Sequence, residues 1–337
     1  MPVLHGDHTG RFNQDTVIMF TRSPCHLLSF VLTACVLTAC GGEDAPAAPT
    51  PVSLALEKIG AYDGAVLGAA EISAYDAGSK RLFVVNGANG TVDVLDLANP
   101  ATPKLIGTIN VSAFGGGINS VAVHDGLVAL AVEAKVKTSA GAVAFYNAAD
   151  LKLLNTATVG ALPDMVTFTA DGKTLLVANE GEPNRYGLTD SVDPEGSVSV
   201  ITVNRGATPP VATADFKQFI GQEAALRTAG IRIYSPGANA AQDLEPEYIA
   251  VSDDGKTAYV TLQENNAIAV VDIAAAKVSS LKPLGIKNHN VVHFGPDPSD
   301  EDGGVNTNTG TPAIKIGPQP LKGMYLPDLV LFGLTIL

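Results

Sequence analysis

The chain has 337 residues, 46% of them apolar, no Trp and a formal net charge of -13. Lys plus Arg number 21 against 34 Asp plus Glu, which argues against a polyanionic nucleic-acid partner. The three cysteines, Cys25, Cys35 and Cys40, all precede the repeats described below, so the folded part offers neither a disulfide nor a thiolate metal site.

The front of the chain is an address. Arg22 precedes an apolar run from Leu27 to Ala39, which has the length of a signal-peptide core and is too short to cross a bilayer. The run closes on Leu37-Thr38-Ala39-Cys40, followed by Gly-Gly-Glu-Asp and a Pro/Ala-rich tether through Pro51. That closing tetrad resembles a bacterial lipobox, whose cysteine is lipidated and becomes the mature N-terminus. Leu32-Thr33-Ala34-Cys35 is a second match, but hydrophobic residues continue past it. The expectation is a signal peptide over 1–39, with Met19 as the more natural start, then a lipidated Cys40 and tether over 40–53. The alternative is cleavage by an ordinary signal peptidase, with Cys40 left free.

From Ile72 onward one pattern recurs: a strand, a tight turn, a second strand, a turn and a third strand. It starts at Ile72 (ISAYDAGSKRLFVVNGANGTVDVLDL), at Ser120, at Met165 (MVTFTADGKTLLVANEGEP, resuming at Gly196) and at Tyr248 within PEYIAVSDDGKTAYVTLQENNAIAVVDI. The spacing of about 45 residues is that of a four-stranded propeller blade. The reading is all-β: antiparallel blades at about 71–110, 119–160, 164–214 and 247–284, with insertions at 180–195, 215–245 and 285–322. Leu56 to Tyr62 resembles the strands that end blades, and is expected to serve as a borrowed outer strand of the last blade. Phe216 to Thr228 reads as a helix with a C-cap at Gly230, and 285–321 as loop. Leu326-Pro327-Asp328 echoes Leu162-Pro163-Asp164, so a fifth blade starts where the chain stops. The expectation is a fragment of a roughly seven-bladed ring, the alternative a compact four-bladed one.

These repeats look like YVTN-type β-propellers. The strings VANEGEP (Val177 to Pro183), DPEGSVSVI (Asp193 to Ile201), AQDLEPEYIAVS (Ala241 to Ser252) and KGMYLPD (Lys322 to Asp328) are similar to the bacterial choice-of-anchor I proteins. The resemblance covers about 54–328. It implies a secreted or surface-held protein, with a lipobox as one form of anchor, and some members carry the label alkaline phosphatase. The expected place is the cell envelope, with Gly41 rather than Asp after Cys40 allowing sorting to the outer membrane, periplasmic or surface-facing. The membrane is reached only through the lipid, and an envelope or extracellular ligand is the expected partner.

In a propeller the links between blades and the turns between second and third strands open on one face. On that face the sequence places Asp164, Glu180, Glu182 and Glu247. Crowded carboxylates call for protons or a hard cation, so these four are the candidate ligands of Ca²⁺ or Mg²⁺. Asn179, Arg185, Asp193, Glu195, Glu264, Asn265 and Asp328 are the expected ligand-binding rim, with Arg185 paired to Glu182. The bland alternative is that Asp164 and Glu247 cap turns and the loop acids are solvated. Asp297 to Gly303 is a poor calcium loop, with Pro at its second position and no Glu at its twelfth. His124 is expected at the surface. His289 and His293 supply too few nitrogen ligands for a zinc or two-metal centre. Binding without catalysis is therefore the first functional reading, and a metal-dependent phosphoesterase the second.

Overall fold

The computed structural model describes residues 55, 57–64, 69–186, 188, 190–298 and 314–329. The chain divides into Met1–Leu56 and a compact unit, Glu57–Leu337, which holds every element named below. The expected signal peptide, the expected lipobox at Cys40 and the end of the tail all lie outside the described residues.

Four four-stranded antiparallel sheets follow one another in chain order, each with its strands in sequence. Blade one is β1 (Ala70–Asp76), β2 (Arg81–Asn86), β3 (Thr91–Asp96) and β4 (Lys104–Asn110). Blade two is β5 (Gly117–His124), β6 (Leu127–Glu133), β7 (Ala140–Asn147) and β8 (Leu153–Ala161). Blade three is β9 (Pro163–Phe168), β10 (Thr174–Asn179), β11 (Ser197–Thr202) and β12 (Val211–Asp215). A connection carrying the short helices α1 (Glu223–Ala229) and α2 (Ala240–Asp243) leads to blade four: β13 (Pro246–Val251), β14 (Thr257–Leu262), β15 (Ala267–Asp272) and β16 (Lys277–Pro283). Beyond it, β17 (Lys287–Asn288) pairs with β18 (Lys322–Gly323).

Each sheet hides its apolar faces against its neighbours, and the sequence shows which sheets have two neighbours. In β6 the six residues Leu127 to Val132 are all buried, because Val128, Leu130 and Val132 pack on blade one while Leu127, Ala129 and Ala131 pack on blade three. In β2, Phe83 and Val85 are buried against blade two, whereas Leu82 and Val84 face the free side and are half-buried. Burial of each such side chain contributes roughly 1.5–3 kcal/mol. The interface of blades three and four is the largest cluster, because Phe216, Leu226, Ile231, Ile233 and Leu244 of the connection join it.

The tight turns repeat their chemistry. In Thr169-Ala-Asp-Gly-Lys173 and Ser252-Asp-Asp-Gly-Lys256 the hydroxyl donates to the aspartate two residues on, and that carboxylate accepts the lysine N–H. Asp125 and Gly126 both have positive φ (45° and 72°), the signature of a two-residue hairpin turn.

Three expectations are corrected. Glu57 to Gly64 forms no strand; Gly60 lies against Pro100 and Ala101 of blade one, and β16 completes blade four from its own sequence. The helix expected over Phe216 to Thr228 is a 3-10 turn, Lys217–Phe219, followed by α1 with Gly230 as its left-handed cap. Ile220, within that expected helix, is exposed, because the positive φ of Gly221 separates the two turns. Sequence periodicity also missed α2, which starts with a capping box between Asn239 and Gln242. His124 is half-buried with its ring 5.7 Å from that of Phe168, since it ends a strand packed on blade three and does not stand in the turn.

Candidate functional site

The first strands of all four blades line a groove of about 660 Å³, with Glu71, Asn119, Asp164 and Tyr248 among its walls. Register explains why polar groups gather at one end of it. The fourth residue of each second strand pairs with Ser73, Val121, Val166 and Ile249 in turn. Two residues before those partners stand Glu71, Asn119, Asp164 and Glu247, so one position of the repeat supplies three carboxylates and an amide to the mouth of the channel. The register shifts near this point in each of the four sheets, which is where bulges re-aim side chains. Asn119 uses its amide to tie blades together, donating to Pro163 O at 3.0 Å.

Connections on the same side bring more acid. Leu162, at φ 46°, turns the chain into Pro163, and its carbonyl accepts the Glu180 N–H at 2.9 Å. This holds Glu180 over the mouth. Burial, then the charges of Asp164, Glu182, Glu245 and Glu247, push the Glu180 carboxyl up to about 9. Burial with Glu264, Asp164, Asp328 and Glu245 pushes Glu247 up to about 8. Asp164 rises to about 6 through burial, against the pull of Lys137 and with added repulsion from Glu264 and Glu71. The four expected cation ligands are thus electrically coupled through Glu180. One of them, Glu182, is paired with Lys137 from the β6–β7 turn. Among the described residues no three His, Cys, Asp or Glu side chains stand close enough together to hold a metal ion as placed.

Beside the mouth lies a buried arrangement that sequence reading missed. Glu245 is 1% exposed and accepts the Tyr186 hydroxyl (3.0 and 3.2 Å) and the Tyr234 hydroxyl (3.2 Å). Burial and the Glu264 charge lift its carboxyl to about 8 in spite of those hydrogen bonds. Arg232 stacks on the Tyr234 ring, 3.8 Å from its centroid. Asp243 accepts the backbone N–H groups of Tyr234 and Ser235 (2.9 and 2.6 Å), which fixes the segment that carries the tyrosine.

The remaining rim residues divide. Asn179 and Asn265, expected on the surface, are both 0% exposed. Asn179 donates to Ser197 and Ser199, and Asn265 bridges Arg232, Asp243 and Glu245. Arg185 pairs with Asp190 rather than with Glu182, which Lys137 occupies. Glu195 pairs with Lys217 at 3.3 Å. Glu264 Oε2 and Asp193 Oδ1 are buried without a hydrogen-bond partner, and burial beside Asp243 lifts Asp193 to about 6. Asp328 is exposed, with its carbonyl 3.5 Å from the Thr261 hydroxyl. Asp297 accepts the Lys315 N–H at 3.2 Å; residues 299–303 of the weak calcium loop lie outside the described residues. His289 bonds Phe294 O through Nδ1 and does not share a helix face with His293.

Consecutive four-stranded sheets whose first strands line a common channel, with an acidic mouth, define an all-β propeller-type protein. The choice-of-anchor I domain profile matches residues 71–333. The chain belongs to that family, which is one of cell-surface proteins. No curated protein matches its sequence. Solved structures similar to it include the Kuenenia stuttgartiensis hydrazine synthase (13% identity, 64% of this chain and 76% of that one, TM-score 0.36). A putative 6-phosphogluconolactonase from Bacteroides uniformis is 14% identical over 60% of this chain and 50% of that one, with a TM-score of 0.39. The Cps50 (Swd1) β-propeller domain of Myceliophteria thermophila is 10% identical over 64% of this chain and 56% of that one, with a TM-score of 0.42. This chain therefore spans half to three quarters of the length of these three solved chains.

Proposed function

We propose that this chain is a lipid-anchored propeller of the cell envelope that binds a cationic ligand or partner at the mouth of its channel, without catalysis of its own. The observation that carries the reading is the convergence of Asp164, Glu180 and Glu247, from separate elements, on one half-buried mouth. Their mutual repulsion is relieved by protons or by a cation. Ca²⁺ or Mg²⁺ is the simplest such ligand, because all the groups offered are hard oxygens. Asp164, Glu180 and Glu247 would have to rotate together to hold it, and Glu182 would join by leaving Lys137. Weighing against a phosphoesterase, Lys137, the basic group whose charge reaches Asp164, is held by the Glu182 carboxylate, and Arg185 by that of Asp190.

Isothermal titration of the chelator-treated protein with Ca²⁺ and with Mg²⁺ at pH 8 tests the cation. Saturable heat that Asp164→Asn and Glu247→Gln each weaken by about tenfold or more supports it. No heat from the wild type removes the divalent-ion version. Incorporation of labelled palmitate by the wild type, and not by Cys40→Ala, tests the anchor.

A further inference from the structure

The free side of blade one carries a cavity of about 420 Å³ that shares no lining residue with the groove at the mouth. Register shows that its sheet wall is one surface. Leu82 pairs with Leu95 and Val84 with Asp93, and alternation turns all four away from blade two, which takes Phe83, Val85, Val92 and Val94. A second wall is the segment from Ile59 to Gly64, anchored at Gly60, where an added Cβ would stand 2.1 Å from Pro100 O. Leu95 is 5% exposed on a side where no described sheet packs, so the segment and its anchoring turn cover it. The cavity lies within the roughly 300–1,000 Å³ of small-molecule sites, and its walls are mostly apolar, as in such sites. A further sheet or a second copy would need the whole face, part of which the segment already takes.

A single charge stands in that lining. Asp93 is the one acidic or basic residue among the walls, and it is half-buried. Its carboxylate accepts the Asn86 amide at 2.9 Å and the Thr108 hydroxyl at 3.4 Å, and among the described residues it forms no ion pair. A carboxylate offers about four acceptor sites, so about two remain open to a donor. Beside apolar carbon, the group that satisfies both the charge and the open sites is a cation that brings its own N–H donors. A bare metal ion would find one carboxylate here and too few further oxygens to complete its shell. We propose that this pocket binds a small organic ammonium with an apolar body. The ammonium meets Asp93, and the body lies among Leu82, Val84, Leu95 and the segment that carries Ile59 and Tyr62. The inference does not rest on the reading of the acidic mouth.

The test titrates the full chain calorimetrically, at neutral pH, with three probes of one shape: 4-phenylbutylamine, 4-phenylbutanol and 4-phenylbutyrate. The amine should bind saturably at one site, the alcohol about tenfold more weakly, and the acid more weakly still, since a charge-assisted hydrogen bond is lost and then replaced by repulsion. Asp93→Asn keeps an acceptor for the Asn86 amide and should bring the amine down to the level of the alcohol. Val84→Phe fills the cavity and should weaken amine and alcohol alike. Circular dichroism checks both variants, and the comparison of the three probes on the wild type stands even if one of them fails to fold. The proposal is overturned by the absence of saturable heat with the amine, by equal binding of amine and alcohol, or by a preference that survives Asp93→Asn. It is also overturned if Val84→Phe changes neither affinity, or if Glu247→Gln at the mouth removes the preference instead. Sedimentation should show a monomer; a dimer dispersed by Leu82→Ser would give the face to a second copy and overturn the proposal as well.

Discussion

At the scale of single residues, Glu180 decides how the mouth responds to pH. Its carboxyl has an ordinary value of 4.5 and is lifted to about 9 in the fold, so the folded chain holds a proton that the unfolded chain releases. Where the native state binds more protons, stability falls as pH rises. The stability is complete below about pH 4.5 and is lost progressively up to about pH 9. Glu180→Gln keeps the shape and removes the charge, so it should raise the melting temperature at pH 8 by several degrees and leave it nearly unchanged at pH 4.5. Thermal melts at the two pH values check this, and an equal shift at both would show that burial, not charge, is at work. Saturating Ca²⁺ should reproduce part of the gain in the wild type at pH 8 if the mouth takes that ion. Asp164 and Glu247 were legible because blades three and four each open their first strand with Pro-acid. Glu71 occupies the same register position, but Ala70 precedes it in place of proline, so only the strand pairing reveals it. Lys137 was invisible as a partner of Glu182, since the two lie 45 residues apart in turns of different blades.

At the scale of elements, the insertion of blade three is a latch between sheets. Tyr186 from that insertion and Tyr234 from the connection both donate to Glu245, and Gln242 donates to Asp193 O at 2.9 Å. Replacing both tyrosines by Phe leaves a 1% exposed carboxyl without its hydroxyl donors. The expected cost is about 1–3 kcal/mol for the orphaned acceptor, with trypsin cleavage after Arg185 accelerated in the folded protein. Unchanged cleavage with unchanged stability would mean that the latch is ornamental. Gly196 gives a second handle, because a Cβ there would stand 2.1 Å from Leu244 O and 2.8 Å from Pro246 Cδ. Gly196→Ala should therefore push the connection off blade three and destabilise by roughly 1–3 kcal/mol, measured by urea unfolding. Strand periodicity made the blades readable from sequence. The connection was not, because its order comes from Asp243 and Asn265 holding backbone groups, and irregular chain of that kind leaves no period to detect.

At the scale of the molecule, the blades form a row in which each sheet packs on its chain neighbours, so stability should follow position in the row. Blades two and three are covered on both faces, as the unbroken burial of β6 and the buried run Leu175 to Asn179 of β10 show. Blade one has a free side lined by Leu82, Val84 and the segment around Ile59 to Tyr62, enclosing an apolar pocket of about 420 Å³. In β1 most residues are exposed, and the outward layer of β17 and β18 rests on blade four through links such as Tyr325 N to Asn266 Oδ1 at 2.9 Å. In a linear array each unit is stabilised by its own packing and by its interfaces, and the ends open first. Amide hydrogen exchange should therefore rank β6, β7 and β10 slowest, at or near the global unfolding free energy. β1, β4, β17 and β18 should exchange through smaller openings that do not unfold the middle. Phe83→Ala in the interface of blades one and two, fully buried, should cost about 3–5 kcal/mol. The loss should appear as faster exchange throughout blade one while β10 keeps its protection. If β10 loses protection in step with β1, the row is a single cooperative unit, and packing between sheets, not within them, sets the stability of every strand.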